Sequence, residues 1–107
     1  QVTQNLEQIQ QALHQGFPVL FCAEVYEAFQ STGVGHSGMV PMPQHNDSSQ
    51  GGHAILIVGF DDNRQLFIVR NSWGADWGDR GYCYFPYSYV LDSNYASQFW
   101  ALLGVTN

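Results

Sequence analysis

Two apolar segments joined by a short polar stretch constrain this chain more than any other feature. Residues 54–60 and 65–70 are rich in branched and aromatic side chains, and Asp-Asp-Asn-Arg at 61–64 separates them. This pattern predicts a β-hairpin with a polar turn. Because nearly every position of both segments is apolar, we expect two central strands covered on both faces of a sheet.

The segments on either side of the hairpin predict one helix and further strands. Residues 4–15 carry an apolar stripe typical of an amphipathic helix, with Thr3 as its cap and Gly16 at its end. Residues 17–25 and 81–87 predict strands, and the apolar tail with Phe99 and Trp100 is expected to dock on the core.

Residues 30–52 consist mainly of Gly, Ser, Pro, His and Asn, and they predict a long loop in which only Met39 and Val40 are buried. The fold class that follows is α+β. We expect one N-terminal helix and an antiparallel sheet or half-open β-barrel, with residues 1–107 forming a single domain.

Composition excludes several classes of partner. Nine acidic residues against three Arg give a formal net charge of -6, which disfavours nucleic acids and anionic membrane surfaces as partners. No apolar run approaches the roughly 20 residues of a membrane-spanning helix. Two cysteines, Cys22 and Cys83, are too few for a disulfide framework, so free buried thiols are expected, with a single bridge as the alternative.

Two other patterns do not indicate a site. Gly-Val-Gly-His-Ser-Gly at 33–38 has the spelling of a dinucleotide-binding loop, but Pro41 and Pro43 oppose the helix that such a loop must precede. His36, His45 and Asp47 do not lie on one face of a regular element, so we expect no metal site.

The informative polar pair is His53 and Asn71. If the hairpin turn is centred on Asp62, these two residues face each other at its open end, with Cβ atoms about 4.5–5.5 Å apart. An amide oxygen that accepts the imidazole proton is the arrangement that orients a catalytic base. A strand-end histidine beside a turn asparagine, with no catalytic role, is the alternative.

The neighbours of this pair suit an active site. Gly51 and Gly52 leave the approach to His53 free of side chains. Trp73 follows Asn71 closely and is placed to cover the pair from water.

Two elements of the sequence resemble the C-terminal lobe of papain-like cysteine peptidases. The first is Gly-His-Ala-Ile-Leu-Ile-Val-Gly-Phe at 52–60. The second is Asn-Ser-Trp-Gly at 71–74, followed by Trp-Gly at 77–78 and Gly-Tyr at 81–82. Phe-Pro-Val at 17–19, Val-Tyr-Glu-Ala-Phe at 25–29 and Phe-Trp at 99–100 are most similar to bacterial members.

The resemblance implies a role for each site residue. His53 is the catalytic base and acid, Asn71 orients its ring, and Trp73 and Gly52 support the pair. The implied substrate-binding residues are Gly51, Gly52 and Ala54, with Cys22 beside them. The family also implies peptide or protein substrates, no cofactor, and a secreted or periplasmic location.

One part of the family pattern is missing. The nucleophile belongs to the N-terminal lobe, in a Gly-Ser-Cys-Trp-like segment, and nothing in this chain matches it. Cys22 and Cys83 lie in strand-like segments, so neither is expected to be the nucleophile. We therefore expect a lobe that is inactive without an N-terminal lobe as its partner. The alternative is a non-catalytic half-domain that binds or self-associates through an exposed apolar face.

Overall fold

The computed structural model describes residues 1–44 and 47–102. Its strands are β1 (Val19–Tyr26), β2 (Ser49–Asp61), β3 (Leu66–Arg70), β4 (Tyr82–Pro86) and β5 (Ala96–Ala101). Its helices are α1 (Leu6–His14), α2 (Thr32–Ser37) and α3 (Tyr87–Val90), with a 3₁₀ turn at Glu27–Gln30. The strands form one antiparallel sheet in the order β4-β3-β2-β1-β5, which confirms the α+β class.

The core lies on one face of this sheet, because side chains alternate between the two faces of a strand. Strand β1 shows the alternation in full, with buried and half-buried residues in turn from Val19 to Tyr26. Helix α1 adds Ile9 to the core, and α3 adds Tyr89 and Val90.

The opposite face is partly open, so the prediction of two covered faces is wrong. One cross-strand row on this face spans all five strands and consists of Tyr82, Arg70, Leu56, Leu20 and Trp100. Trp100 is 50% exposed, and Val58 is also exposed. A continuous apolar pattern predicts that both faces avoid water, but the described part of this chain covers only one of them.

Helix α1 begins later than predicted. Asn5, not Thr3, is its cap, and the Asn5 side chain accepts a hydrogen bond from the backbone N–H of Gln8 at 3.2 Å. Gly16 has φ of +86° just beyond the helix, as expected of a residue that ends one.

The described parts of the stretch from 30 to 52 contain regular structure where a loop was predicted. Helix α2 forms because the Ser31 hydroxyl accepts from the N–H of Val34 and because Gly38, at φ +77°, ends the helix before the prolines. Val34 is buried, as Val40 is, whereas Met39 is exposed, which corrects the predicted burial there. Strand β2 already begins at Ser49.

The predicted hairpin is present, but its register differs. Asp61 pairs with Leu66, a bulge interrupts the ladder near Val58, and Leu56 pairs with Arg70. The turn is therefore centred between Asn63 and Arg64 rather than on Asp62. The shift has a local cause, since the Asp61 carboxylate accepts from the N–H groups of Asn63 and Arg64 and fixes the turn.

In the described part of the chain, none of the helices has the length and apolar character needed to cross a membrane.

Candidate active site

The imidazole of His53 and the amide of Asn71 are in contact. The His53 Nε2 atom lies 2.9 Å from the Asn71 Oδ1 atom. His53 is half-buried on β2, opposite Ala23 of β1, and Asn71 directly follows β3 with only 5% of its surface exposed. The expected contact is therefore present, although the register predicted for it is wrong.

The loop after β3 places Asn71. The Asn71 N–H donates to the Gly81 carbonyl at 3.0 Å, and the Gly81 N–H donates to the Trp77 carbonyl at 2.8 Å. These bonds hold the two ends of the loop together. The Asn71 side chain thereby reaches His53 diagonally instead of across a regular strand pair.

The hydrogen bonds also define which nitrogen of His53 carries the proton. The backbone N–H of Ser72 donates to Asn71 Oδ1 at 2.8 Å, so this atom is an acceptor. In the bond to Asn71, His53 Nε2 is therefore the donor. A neutral imidazole then has its lone pair on Nδ1, which is the atom available to accept a proton.

Aromatic rings pack around the pair. The centroid of the Trp73 ring lies 5.5 Å from that of the His53 ring, at an interplanar angle of 32°. Trp73 is 44% exposed. Phe29 is fully buried, and its ring lies 6.1 Å from His53 and 5.3 Å from both Trp73 and Trp77. Phe29 carries no functional signal in the sequence, because only the folded chain brings it beneath the site.

The buried side-chain amide of Asn71 also lowers the stability of the fold. Its Nδ2 atom is buried and has no hydrogen-bond partner among the described residues. A buried donor without a partner costs about 1–3 kcal/mol. Stability alone therefore does not favour asparagine at this position.

The predicted substrate-binding residues flank His53 on β2. Gly51, Gly52 and Ala54 are exposed, and Cys22 pairs with Ala54 across the strands. A Cβ atom at Gly52 would lie 2.9 Å from the Cys22 sulfur, so a larger residue does not fit without a shift.

Both cysteines are free thiols, so the alternative of a disulfide between them is wrong. Cys83 is fully buried in the core, as predicted, and burial raises the pKa of its thiol to about 12. Cys22 is half-buried rather than buried, and its side chain lies on the opposite face of β1 from Ala23, the partner of His53. Neither thiol is placed as a nucleophile for His53.

Across residues 1–44 and 47–102 no three metal-ligating side chains come together. His45, one of the residues considered for a metal site, lies outside the described residues.

An imidazole that donates a hydrogen bond to an asparagine amide, with a tryptophan ring packed beside it on an antiparallel sheet, is the arrangement that the resemblance to papain-like peptidases implies. The comparisons with known proteins agree. The papain family cysteine protease model matches residues 1–98. The chain therefore belongs to the papain family of cysteine proteases.

Three relatives illustrate the match. An uncharacterised peptidase C1-like protein of Acanthamoeba polyphaga mimivirus is 45% identical over 106 residues, which are 99% of this chain and 34% of that protein. The thiol protease aleurain of Arabidopsis thaliana is 39% identical over 72 residues, 61% of this chain and 18% of aleurain. The crystal structure of xylellain, a cysteine protease from Xylella fastidiosa, superposes with a TM-score of 0.85 at 35% identity, covering 92% of this chain and 37% of xylellain.

The chain thus spans between 18% and 37% of the length of each of these relatives. The fold and the family are shared with them.

Proposed function

We propose that this chain supplies the histidine and asparagine of a papain-type active site, and that peptide hydrolysis requires a second lobe with the nucleophilic cysteine. The observation that carries the proposal is the bond from His53 Nε2 to Asn71 Oδ1, which leaves Nδ1 as the base. In this account residues 1–107 form one lobe, and His53 is catalytic while Asn71 positions it.

The chemistry follows from that geometry. His53 Nδ1 takes the proton of the thiol, and the thiolate attacks the peptide carbonyl carbon. When the C–N bond breaks, Nδ1 returns the proton to the leaving amine and a thioester remains. Water, deprotonated by Nδ1, attacks the thioester, and the proton returns to the departing thiolate. Asn71 Oδ1 stabilises the imidazolium that forms in both halves of the reaction.

The substrate would lie along the exposed strip formed by Gly51, Gly52 and Ala54. These positions have small side chains or none, so an extended peptide can approach the strand closely. The half-buried Cys22 thiol lies beside this strip. We expect a small aliphatic or an aromatic side chain to fit best there.

The second candidate function is a non-catalytic half-domain that binds a partner or a second copy. The exposed apolar side chains of Val58 and Trp100 on the open face support this alternative. The contact between His53 and Asn71 argues against it, because a binding module does not need an amide that orients a histidine.

A mixing experiment separates the two functions. The chain alone, with a fluorogenic peptide and a reducing agent, should show no turnover. Addition of a papain-family N-terminal lobe that carries the nucleophile should restore hydrolysis, and the Cys22→Ser variant should behave like the wild type. Hydrolysis by the chain alone that Cys22→Ser abolishes would refute the proposal. Formation of a complex with no turnover would favour the binding module.

A further inference from the structure

One carboxylate lies beside the proposed substrate strip and takes no part in the proposed chemistry. Glu24 is half-buried on β1 and pairs across the strands with Gly52, the neighbour of His53. Directly opposed residues of an antiparallel pair have Cα atoms about 4.5–5.5 Å apart. Because Gly52 has no side chain, a bound peptide can approach the Glu24 side chain from the β2 side.

Glu24 shares a face of β1 with the thiol of Cys22. Buried and half-buried residues alternate along this strand, and both residues belong to the half-buried set, on the face opposite Ala23. Two residues along a strand span about 7 Å. The strip therefore offers two places on this face, an apolar one at Cys22 and Ala54 and an acidic one at Glu24.

Hydrogen bonds hold Glu24 in place. Its backbone N–H donates to the Tyr95 carbonyl at 2.7 Å, and its carbonyl accepts from the Tyr89 hydroxyl at 2.5 Å. Its carboxylate accepts from the Ser49 hydroxyl, which leaves further lone pairs for a ligand. A side chain that is already fixed loses little conformational entropy when a ligand binds.

The surroundings of Glu24 favour a cation. Within residues 1–44 and 47–102 its carboxylate forms no ion pair. Tyr26, the next half-buried residue of β1, has its ring centroid 6.1 Å from that of Tyr95. Burial raises the pKa of the Tyr26 phenol, and the charge of Glu24 raises it further, as expected for a carboxylate near that ring. A carboxylate beside aromatic rings attracts an ammonium or guanidinium group.

We propose that Glu24 selects peptide substrates with a lysine or arginine side chain, whose cation pairs with the Glu24 carboxylate while another substrate side chain meets Cys22. The inference rests on the proposed function and adds a substrate class to it. A guanidinium group binds a carboxylate with two parallel hydrogen bonds. The net charge of -6 also attracts cationic peptides over a distance.

The test compares arginine with citrulline, its uncharged near-isostere, in acetylated fluorogenic peptides. The enzyme is a chimera in which this chain replaces the aligned region of xylellain, and each substrate position before the cleaved bond is varied in turn. At one position we expect kcat/KM to be at least tenfold higher for arginine at low salt. Glu24→Gln should reduce this ratio to less than twofold, and Glu24→Lys should make a glutamate peptide the better substrate.

Two matched variants separate the charge of Glu24 from its structural contacts. Glu27→Gln removes the same charge at an exposed position just beyond β1 and should leave the ratio unchanged. Ser49→Ala removes the hydroxyl that bonds to the carboxylate but keeps the charge, so the preference for arginine should persist. Thermal melting of each variant verifies its fold.

A binding assay keeps this inference distinct from the proposed catalysis. The His53→Ala chimera should not turn over, yet calorimetry should show that it binds the arginine peptide at least tenfold more tightly than the citrulline peptide. An inactive wild-type chimera with the same binding preference would contradict the proposed function alone.

Three results would overturn the inference. The first is equal kcat/KM and equal binding for arginine and citrulline at every position, and the second is a preference that Glu24→Gln leaves intact. The third is a Glu24-dependent gain that appears only in peptides with a free amino terminus, which would assign the carboxylate to the α-amino group of the substrate.

Discussion

His53 Nε2 and Asn71 Oδ1 lie 2.9 Å apart although the two residues are not partners in the β2–β3 ladder. The last regular pair of that ladder is Leu56 with Arg70, and the backbone turns away at Asn71. The contact is therefore held by the loop that follows β3 and by the aromatic packing above it. The loop and the aromatic packing each lead to a separate prediction.

The first prediction concerns the proton on His53. Because Asn71 Oδ1 only accepts hydrogen bonds, neutral His53 should carry its proton on Nε2. Nitrogen-15 NMR of the labelled chain should show that tautomer alone for His53, whereas Asn71→Ala should return His53 to the tautomer mixture of an exposed imidazole, in which Nε2–H is favoured but not exclusive. His14, which is exposed on α1, serves as the internal control. A predominant Nδ1–H tautomer in the wild type would contradict the assigned geometry.

The second prediction concerns the cover that Trp73 provides. Without its ring, water reaches the bond between His53 and Asn71, so Trp73→Ala should speed solvent exchange of the His53 Nε2–H at least tenfold. The matched control is Trp100→Ala, since Trp100 is also about half exposed but lies on the open face. Equal exchange rates in the wild type and Trp73→Ala would show that the ring does not shield the pair.

The fold could be predicted from the sequence as far as local patterns reach. The helix, the hairpin and the strand class follow from periodicity and turn residues. The His53–Asn71 contact was predicted from a turn centred on Asp62, which is wrong, and from the family motifs, which hold. The register of the hairpin could not be predicted from the sequence. A bulge near Val58 and the turn fixed by Asp61 shift the strand pairing through local hydrogen bonds, which leave no trace in the hydrophobic periodicity. Helix α2 was missed because a six-residue helix among glycines depends on its caps, Ser31 and Gly38.

The site was predicted less completely than the fold. His53, Asn71 and Trp73 belong to recognisable motifs, whereas the contribution of Phe29 arises from packing between distant segments. The open face is a similar case, since a run of apolar residues does not reveal whether its own chain covers it.

The third prediction separates the two cysteines by reactivity. Cys83 is fully buried and its pKa is raised to about 12, so its thiol should resist a disulfide reagent at pH 8 until the chain unfolds. Cys22 is half-buried and should be labelled in the folded chain. Thiol counting with and without denaturant checks this, with Cys22→Ser as the control. Two thiols titrating at equal rates in the folded protein would contradict the burial of Cys83.

The fourth prediction is a loss of stability at alkaline pH. Burial raises the pKa of the Cys83 thiol from 9.0 to about 12, and burial with the Asp62 hydrogen bond raises the pKa of Tyr87 from 10.0 to about 12. The unfolded chain releases these protons first, so the free energy of unfolding should fall as pH rises from about 9 to about 12.

Urea titrations across this pH range measure that loss. The double variant Cys83→Ala/Tyr87→Phe should show a shallower decline than the wild type, since it lacks both groups. An equally steep decline in the double variant would assign the alkaline loss to other groups.

The fifth prediction tests the central claim, that His53 acts as the base for a thiol supplied by another lobe. The measurement is kcat/KM for a fluorogenic peptide in a chimera in which this chain replaces the aligned region of xylellain. General acid–base catalysis contributes about 10²–10⁴-fold, so His53→Ala should lower kcat/KM by at least 10²-fold while Arg64→Gln leaves it unchanged. A chimera that hydrolyses the peptide equally well with His53→Ala would contradict the account.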